Sequence, residues 1–345
     1  MNELMPSLVS ALHADVEAIC LPEGRMVGSP GHRIVRERLA RRLREIGSEP
    51  WRGRTFELPY ADGGESFCNL IGVIKGRNPR LAPILVGAHY DSVIAAPSAD
   101  DNAAAVAIAL AVGERVAESQ ALERDLVVAL FDAEEPPYFC SPAMGSIRFW
   151  EDQRDGRPVH AALIMDLVGH DVGINSVAPG PIASLNQLLA PLLFITGTES
   201  HTGLRQVHER AGAVDGLSLV PTLNLYVGDM SDHGVFRQNG VPYLFLSCGH
   251  WRHYHRDTDT PDRLNYEKMG RIARQVLAFA AALDGAELPQ TGREQFAETL
   301  DLEISRLRLA LGGEWEPVLE RCGLEAITSR AEMDRLVLSL RGLGI

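Results

Sequence analysis

The sequence predicts an α/β fold in three layers, with a mostly parallel central sheet flanked by helices and a helical C-terminal extension behind it. Two observations predict this. Strand-like and helix-like segments alternate over about 280 residues, the order that builds parallel sheets through helical crossovers. Two of the strand segments, Pro83 to His89 and Leu126 to Phe131, are unbroken apolar runs, as expected of strands covered on both faces. The division falls at residue 285: an α/β unit over 1–285 and helices over 286–345.

The elements follow in order. Leu4, Leu8, Leu12 and Ile19 recur at near-helical spacing over 4–19. Ser29-Pro30 is an N-cap followed by proline at the first helical position, opening a helix that ends before Gly47. Short strands are expected at 54–59 and 67–75, then the apolar strand at 83–89. Residues 103–117 read as a helix of small side chains suited to lying close on a sheet, before the strand at 126–131. A helix near 143–153, a strand at 161–167 and a helix near 182–196 come next. Strands near 222–227 and 241–247 and a long helix at 265–283 complete the unit. Beyond it, 298–311, 315–321 and 330–340 are short amphipathic runs without strand signals.

Composition narrows the functions available. The 345 residues carry 46 Asp and Glu against 33 Lys and Arg, a net charge of −13, with 46% hydrophobic and 23% charged residues. Those are globular values that exclude general disorder. The acidic balance argues against nucleic acid or an anionic membrane as partner. Five cysteines without close pairs make no disulfide framework and point to a reducing compartment. The opening MNELMPSLVSALHADVEAIC lacks a basic leader, so a cytoplasmic location is expected. The longest uncharged run, Val172 to Thr198, is too rich in Asn, Gln, Pro and Gly to span a bilayer and reads as a loop followed by a buried helix.

The chemistry gathers where apolar strands end. ILVGA runs into His89-Tyr90-Asp91-Ser92, LVVALF into Asp132-Ala133-Glu134-Glu135, and ALIM into Asp166. Ser98-Ala99-Asp100-Asp101-Asn102 opens the small-residue helix, and His253-Tyr254-His255-Arg256-Asp257-Thr258-Asp259 lies near the end of the unit. In a parallel sheet such groups converge beyond the carboxyl ends of the strands. Several carboxylates at one sheet edge repel one another unless a cation neutralises them, and two metal ions suit this number of acids. Adjacent Glu134 and Glu135 would point to opposite faces of a strand, so the strand must end there, as Pro136-Pro137 supports.

The segments HYDS (His89 to Ser92), ADDNAA (Ala99 to Ala104), FDAEE (Phe131 to Glu135), MD (Met165-Asp166) and YHRDTDTP (Tyr254 to Pro261) resemble the signature of the co-catalytic zinc aminopeptidases. That family includes bacterial leucyl aminopeptidases and aminopeptidase Y, with glutamate carboxypeptidase II and glutaminyl cyclases as relatives. The likeness covers roughly residues 25–284 and makes 1–285 a zinc-exopeptidase-like catalytic domain. It implies two Zn²⁺ per chain: His89 and Asp166 on one, Glu135 and His255 on the other, and Asp101 bridging them. Three acidic ligands and a bridging hydroxide then cancel the four positive charges. By the same resemblance Glu134 is the general base and acid, Asp91 accepts the second ring N–H of His89, and Asp259 steadies the His255 loop. A cis peptide is implied at Asp101–Asn102.

The implied activity is an aminopeptidase hydrolysing short peptides, with a single-zinc glutaminyl-cyclase-like acyltransferase or a hydrolase of another amide metabolite as alternatives. Other residues carry weaker signals. His170 is a candidate pocket wall, and His250 and His253 read as exposed loop histidines. Asp232, before His233, is either a helix cap or loop anchor or a site residue. Tyr226 does not fall where the family's oxyanion tyrosine is expected, and Cys140 reads as a buried inert thiol. The segments 138–146, 199–220 and 248–256 are expected as loops that shape specificity.

Overall fold

The computed structural model describes residues 4–174, 183–290 and 296–342. In chain order its elements are α1 (Leu4–Ile19), α2 (Pro30–Glu45), β1 (Glu49–Pro50), β2 (Glu57–Asp62), β3 (Glu65–Ile74) and β4 (Ile84–His89). They continue with α3 (Ala104–Ser119), β5 (Leu126–Phe131), α4 (Gly145–Arg148), β6 (Ala161–Met165), α5 (Ala183–Leu189), β7 (Leu192–Thr196) and α6 (Leu204–Ala211). Then follow β8 (Ser218–Thr222), α7 (Asn224–Val227), α8 (His233–Gln238), β9 (Tyr243–Ser247), α9 (Tyr266–Asp284), α10 (Leu300–Leu311), α11 (Trp315–Arg321) and α12 (Arg330–Gly342).

One sheet holds the strands in the order β1-β3-β5-β4-β6-β9-β7-β8, with β2 hairpinned onto β3. The centre is parallel: β5, β4, β6 and β9 run the same way, while β3 joins β5 and β7 joins β9 antiparallel. β4 and β5 are buried at every residue, which is why both read as continuous apolar runs. α3 lies against β4 and β5 because its side chains are small; a Cβ on Gly113 would sit 2.9 Å from Val128 Cγ2. Ser29 caps α2 by accepting the N–H of His32, as the Ser-Pro start predicts.

The structure corrects the sequence expectation in the second half of the sheet. The helix expected near 182–196 stops at Leu189, and Leu192–Thr196 is strand β7. Pro191, without an N–H, breaks the helix, and the β-branched Ile195 and Thr196 then pair with Leu246 and Phe245 of β9. The strand expected near 222–227 lies earlier, at Ser218–Thr222, and Asn224–Val227 is a helical turn. The Glu199 carboxylate starts that turn by accepting the Asn224 N–H at 2.5 Å. Residues 199–220 are therefore not one loop; they contain α6 and begin β8. The helix near 143–153 divides into α4 and a wider turn at Phe149–Gln153. The loop expected before α5 falls at 175–182, outside the described residues.

The C-terminal helices α10, α11 and α12 cover the β8 side of the sheet. Trp315, Leu319, Met333 and Leu336 are buried in the same apolar core as Leu193, Leu219 and Phe279. Among the described residues no helix is long and apolar enough to cross a membrane.

Candidate metal centre

Sheet register brings the site together. His89 of β4 is level with Phe131 of β5, and Gly87 with Ile164 of β6, so these strands end side by side. His89, Asp132–Glu135 and Asp166 therefore leave one edge. Asp101 enters from the wide turn Ala99–Ala103 that leads into α3, and His255 from the loop after β9. Four non-glycine residues in these loops take left-handed backbone: Ser98 (φ 47°), Ala133 (54°), Leu167 (54°) and His255 (56°). Conformations that L-residues adopt reluctantly concentrate where side chains must be aimed against local preference. The Asp101–Asn102 peptide is cis.

Two groups of three potential ligands result, His89, Asp101 and Asp166, and Asp101, Glu135 and His255. Asp101 belongs to both and divides its oxygens between them. Its Oδ1 lies 3.4 Å from His89 Nε2 and its Oδ2 lies 3.2 Å from His255 Nε2. His89 Nε2 is 3.7 Å from Asp166 Oδ1, and His255 Nε2 is 3.3 Å from Glu135 Oε2. Tetrahedral zinc with bonds of about 2.0–2.1 Å sets its ligand atoms about 3.3–3.4 Å apart, so these separations suit shared coordination.

The polar inventory agrees. His89 Nδ1 and Nε2, His255 Nε2, Glu135 Oε1 and Asp166 Oδ1 are buried without a hydrogen-bond partner. Unpaired buried polar atoms are costly, and here they face one another. Burial opposes a charged His89, yet Glu134, Asp101, Asp166 and Asp91 outweigh it and hold its pKa well above the usual histidine value. Burial also works against His255⁺, but Asp101 and Glu135 push it up to about 10. Burial would raise Asp101; its two imidazole neighbours instead hold it below the usual carboxylate range. Glu134 is pushed well up by burial, reinforced by Asp166 and Asp232, and Glu135 is pushed up to about 7 by burial and Asp101. The donor set, two imidazoles and three carboxylates, suits zinc.

Around the candidate ligands sits a layer of buried acids that work on backbone. Asp91 Oδ1 is 3.3 Å from His89 Nδ1, near the partner expected for it, and its carboxylate also accepts the N–H groups of Glu134 and Glu135 at 3.1 Å. One residue thus orients ligands from two strands. Glu134 Oε2 stands 3.8 Å from His89 Nε2. Asp259, expected to steady the His255 loop, ties that loop to the Asp101 turn: its carboxylate accepts the N–H groups of Asp100 and Asp101. His170 is held by Asp100, Nδ1 to Oδ2 at 2.6 Å, and stacks on Trp251, which places it behind the Asp101 turn.

The remaining candidates also find places. Asp232 makes no capping bond; it is 1% exposed, both its oxygens lack a hydrogen-bond partner, and burial pushes it up to about 7. That removes the cap reading and leaves a buried acid facing the cluster's field. His233 is occupied with Asn224 Oδ1 and the Gly228 carbonyl. Tyr226 donates to Asp334 of α12 and so is turned toward the C-terminal helices. Cys140 is exposed, contrary to the expected buried thiol. His250 is exposed and stacks on Tyr254, which stacks in turn on His255 with ring centres 3.7 Å apart. His253 pairs with Thr258. Sequence reasoning missed Arg25, a fully buried residue hydrogen-bonded to the Asp101 turn; it lies 64 residues before His89 in the chain, and no local pattern marks it.

Residues 69–280 match the sequence model of peptidase family M28. Leucine aminopeptidase 1 of Coccidioides posadasii is 26% identical over 237 residues, 64% of this chain and 56% of that protein. The matched segments span less than two thirds of the curated relatives' lengths. Among solved structures, the LapA aminopeptidase of Legionella pneumophila superposes with a TM-score of 0.61 at 16% identity, covering 84% of this chain and 75% of that one. The glutaminyl cyclase of Porphyromonas gingivalis gives 0.60 at 17% identity, covering 79% of this chain and 97% of the cyclase.

Proposed function

The chain belongs to peptidase family M28, and from that premise we propose that it is a two-zinc aminopeptidase acting on short peptides. The observation that carries this reading is the pair of three-ligand groups sharing Asp101 beside Glu134. His89, Asp101 and Asp166 would hold one zinc, and Asp101, Glu135 and His255 the other. Zinc there would supply Lewis acidity toward a peptide carbonyl and acidify water for attack.

The chain's own residues do the rest. Glu134, on the strand end beside His89, takes the proton of the attacking water and returns it to the leaving amine. Asp91 keeps Glu134 and Glu135 in place through their backbone N–H groups. Catalysis is assigned to residues 1–285. Zinc-reconstituted protein should release amino acids from aminoacyl anilides and hold two zincs per chain by elemental analysis.

A second reading is supported by the cyclase likeness, which spans nearly the whole of that protein. Protein that holds one zinc and cyclises an N-terminal glutamine without releasing amino acids would replace the first reading with this one.

A further inference from the structure

The N-terminal segment, ahead of the residues 69–280 that match the family model, reaches the centre through one buried cation. Arg25 is 0% exposed, and its guanidinium hydrogen bonds all go to backbone carbonyls. Nε donates to Tyr90 O at 2.7 Å and Nη1 to Pro97 O at 2.6 Å. Nη2 donates to Ser98 O at 2.8 Å and Asp101 O at 3.0 Å. Its own backbone N–H donates to Ser92 Oγ at 2.9 Å.

These acceptors lie on two segments. Tyr90 sits between His89 and Asp91 where β4 ends, while Pro97, Ser98 and Asp101 form the turn that delivers the shared ligand. A planar fork with five donors can span four carbonyls; a point-charge ammonium cannot. Gly24 makes the approach possible. It takes φ +68°, and a Cβ there would lie 2.6 Å from Ile94 O and 2.8 Å from Ala96 N. Asp259 holds the amides of Asp100 and Asp101. The turn is thus held both by its carbonyls, through Arg25, and by its amides, through Asp259.

We propose that Arg25 is a positioning residue for Asp101, setting its carboxylate relative to His89 and so tuning both zinc sites together. This rests on the two-zinc reading above. Because Asp101 serves both groups, a displaced turn should weaken both zincs in parallel, whereas loss of a ligand specific to one group should weaken one.

The test is zinc competition against a chromophoric chelator, with wild type, Arg25→Lys, Ser92→Ala and Gln275→Met. Gln275 is a control of matching burial, 0% exposed and bonded to Val214 N and Gly212 O, neither of which belongs to the Asp101 turn or the candidate ligands. Arg25→Lys should lose roughly 10- to 100-fold in affinity at both sites, the range for residues that orient metal ligands, and lower kcat with KM little changed. Ser92→Ala, which removes the acceptor of the Arg25 amide and a donor to Ile94 O, should fold and lose affinity several-fold. Gln275→Met should lower the melting temperature and leave both affinities intact.

Unchanged zinc affinity in folded Arg25→Lys overturns the proposal, as does loss in Gln275→Met matching that of Arg25→Lys at equal loss of stability. If Arg25→Lys does not fold, Ser92→Ala decides: affinity equal to wild type overturns it. Wild type that binds no zinc overturns the two-zinc reading and the proposal together, whereas wild type with two zincs and insensitive variants overturns the proposal alone.

Discussion

Two sets of histidines in this protein meet opposite surroundings. His89 and His255 stand among carboxylates that raise them, His255 up to about 10, against the effect of burial. His160, His208 and His233 are packed in the interior, and burial lowers them to about 4, 3 and 4. In the first set both nitrogens of His89 and Nε2 of His255 lack hydrogen-bond partners but face acids 3.2–3.8 Å away. In the second, His208 has two partnerless nitrogens as well, yet it lies edge-on to Phe279, and its ring serves as apolar volume. The same side chain is a candidate metal ligand or a packing group according to what surrounds it. An unpaired buried nitrogen by itself does not mark a site; one aimed at several carboxylates does.

The sharpest way to break this contrast is to remove one histidine of each kind. His89→Ala should lose bound zinc and reduce hydrolysis by more than the roughly 100-fold that follows from disturbing a ligand's support. His208→Leu should retain zinc and activity and, by removing two buried unpaired nitrogens, gain about 1 kcal/mol in urea unfolding. Equal zinc loss in both variants would erase the distinction.

Next in size, Glu134→Gln separates reagent from ligands. We expect kcat to fall about 10²- to 10⁴-fold while elemental analysis still finds the wild-type zinc content. A variant that turned over at the wild-type rate would show that the base lies elsewhere.

The core set makes its own prediction in acid. Below pH 6.5 the unfolded chain protonates His160, His208 and His233, while the folded protein keeps them neutral to about pH 4, 3 and 4. The unfolded state then binds more protons, so stability is lost as pH falls from 6.5 toward 4. Urea midpoints at pH 7, 5.5 and 4.5 should decline less steeply for His208→Leu than for wild type, a difference that cancels the contribution of the metal centre.

The smallest effect concerns the tyrosine turned away from the site. Tyr226→Phe removes its bond to Asp334 and should cost about 0.5–1.5 kcal/mol in stability with kcat within twofold of wild type. A large fall in kcat would return Tyr226 to the reaction.

Much of the centre was legible because it is built from strand ends. His89 closes an apolar run, Asp166 directly follows one, Glu134 and Glu135 come within four residues of one, and the parallel register aligns those ends. The second half of the sheet was less legible. Leu192–Thr196 follows a helix so closely that apolar periodicity alone does not separate them, and only its pairing with β9 makes it a strand. The supporting residues were the hardest to read. Asp259 and Arg25 bind backbone groups of a turn 158 and 76 residues away, and hydrogen bonds to backbone leave no side-chain pattern at the acceptor.

Which chemical groups stand at the carboxyl edge of the sheet follows from chain order, since a strand and the residues after it are joined covalently and buried strands are marked by their apolarity. Folding settled that Asp101 divides its two oxygens between two groups, that Asp91 accepts two glutamate amides, and that the turn bearing Asp101 is held through both its carbonyls and its amides. It also decided which histidines face acids and which face apolar side chains. Those properties depend on residues brought together from distant parts of the chain, and packing, not local spacing, sets the dielectric and the partners each of them meets.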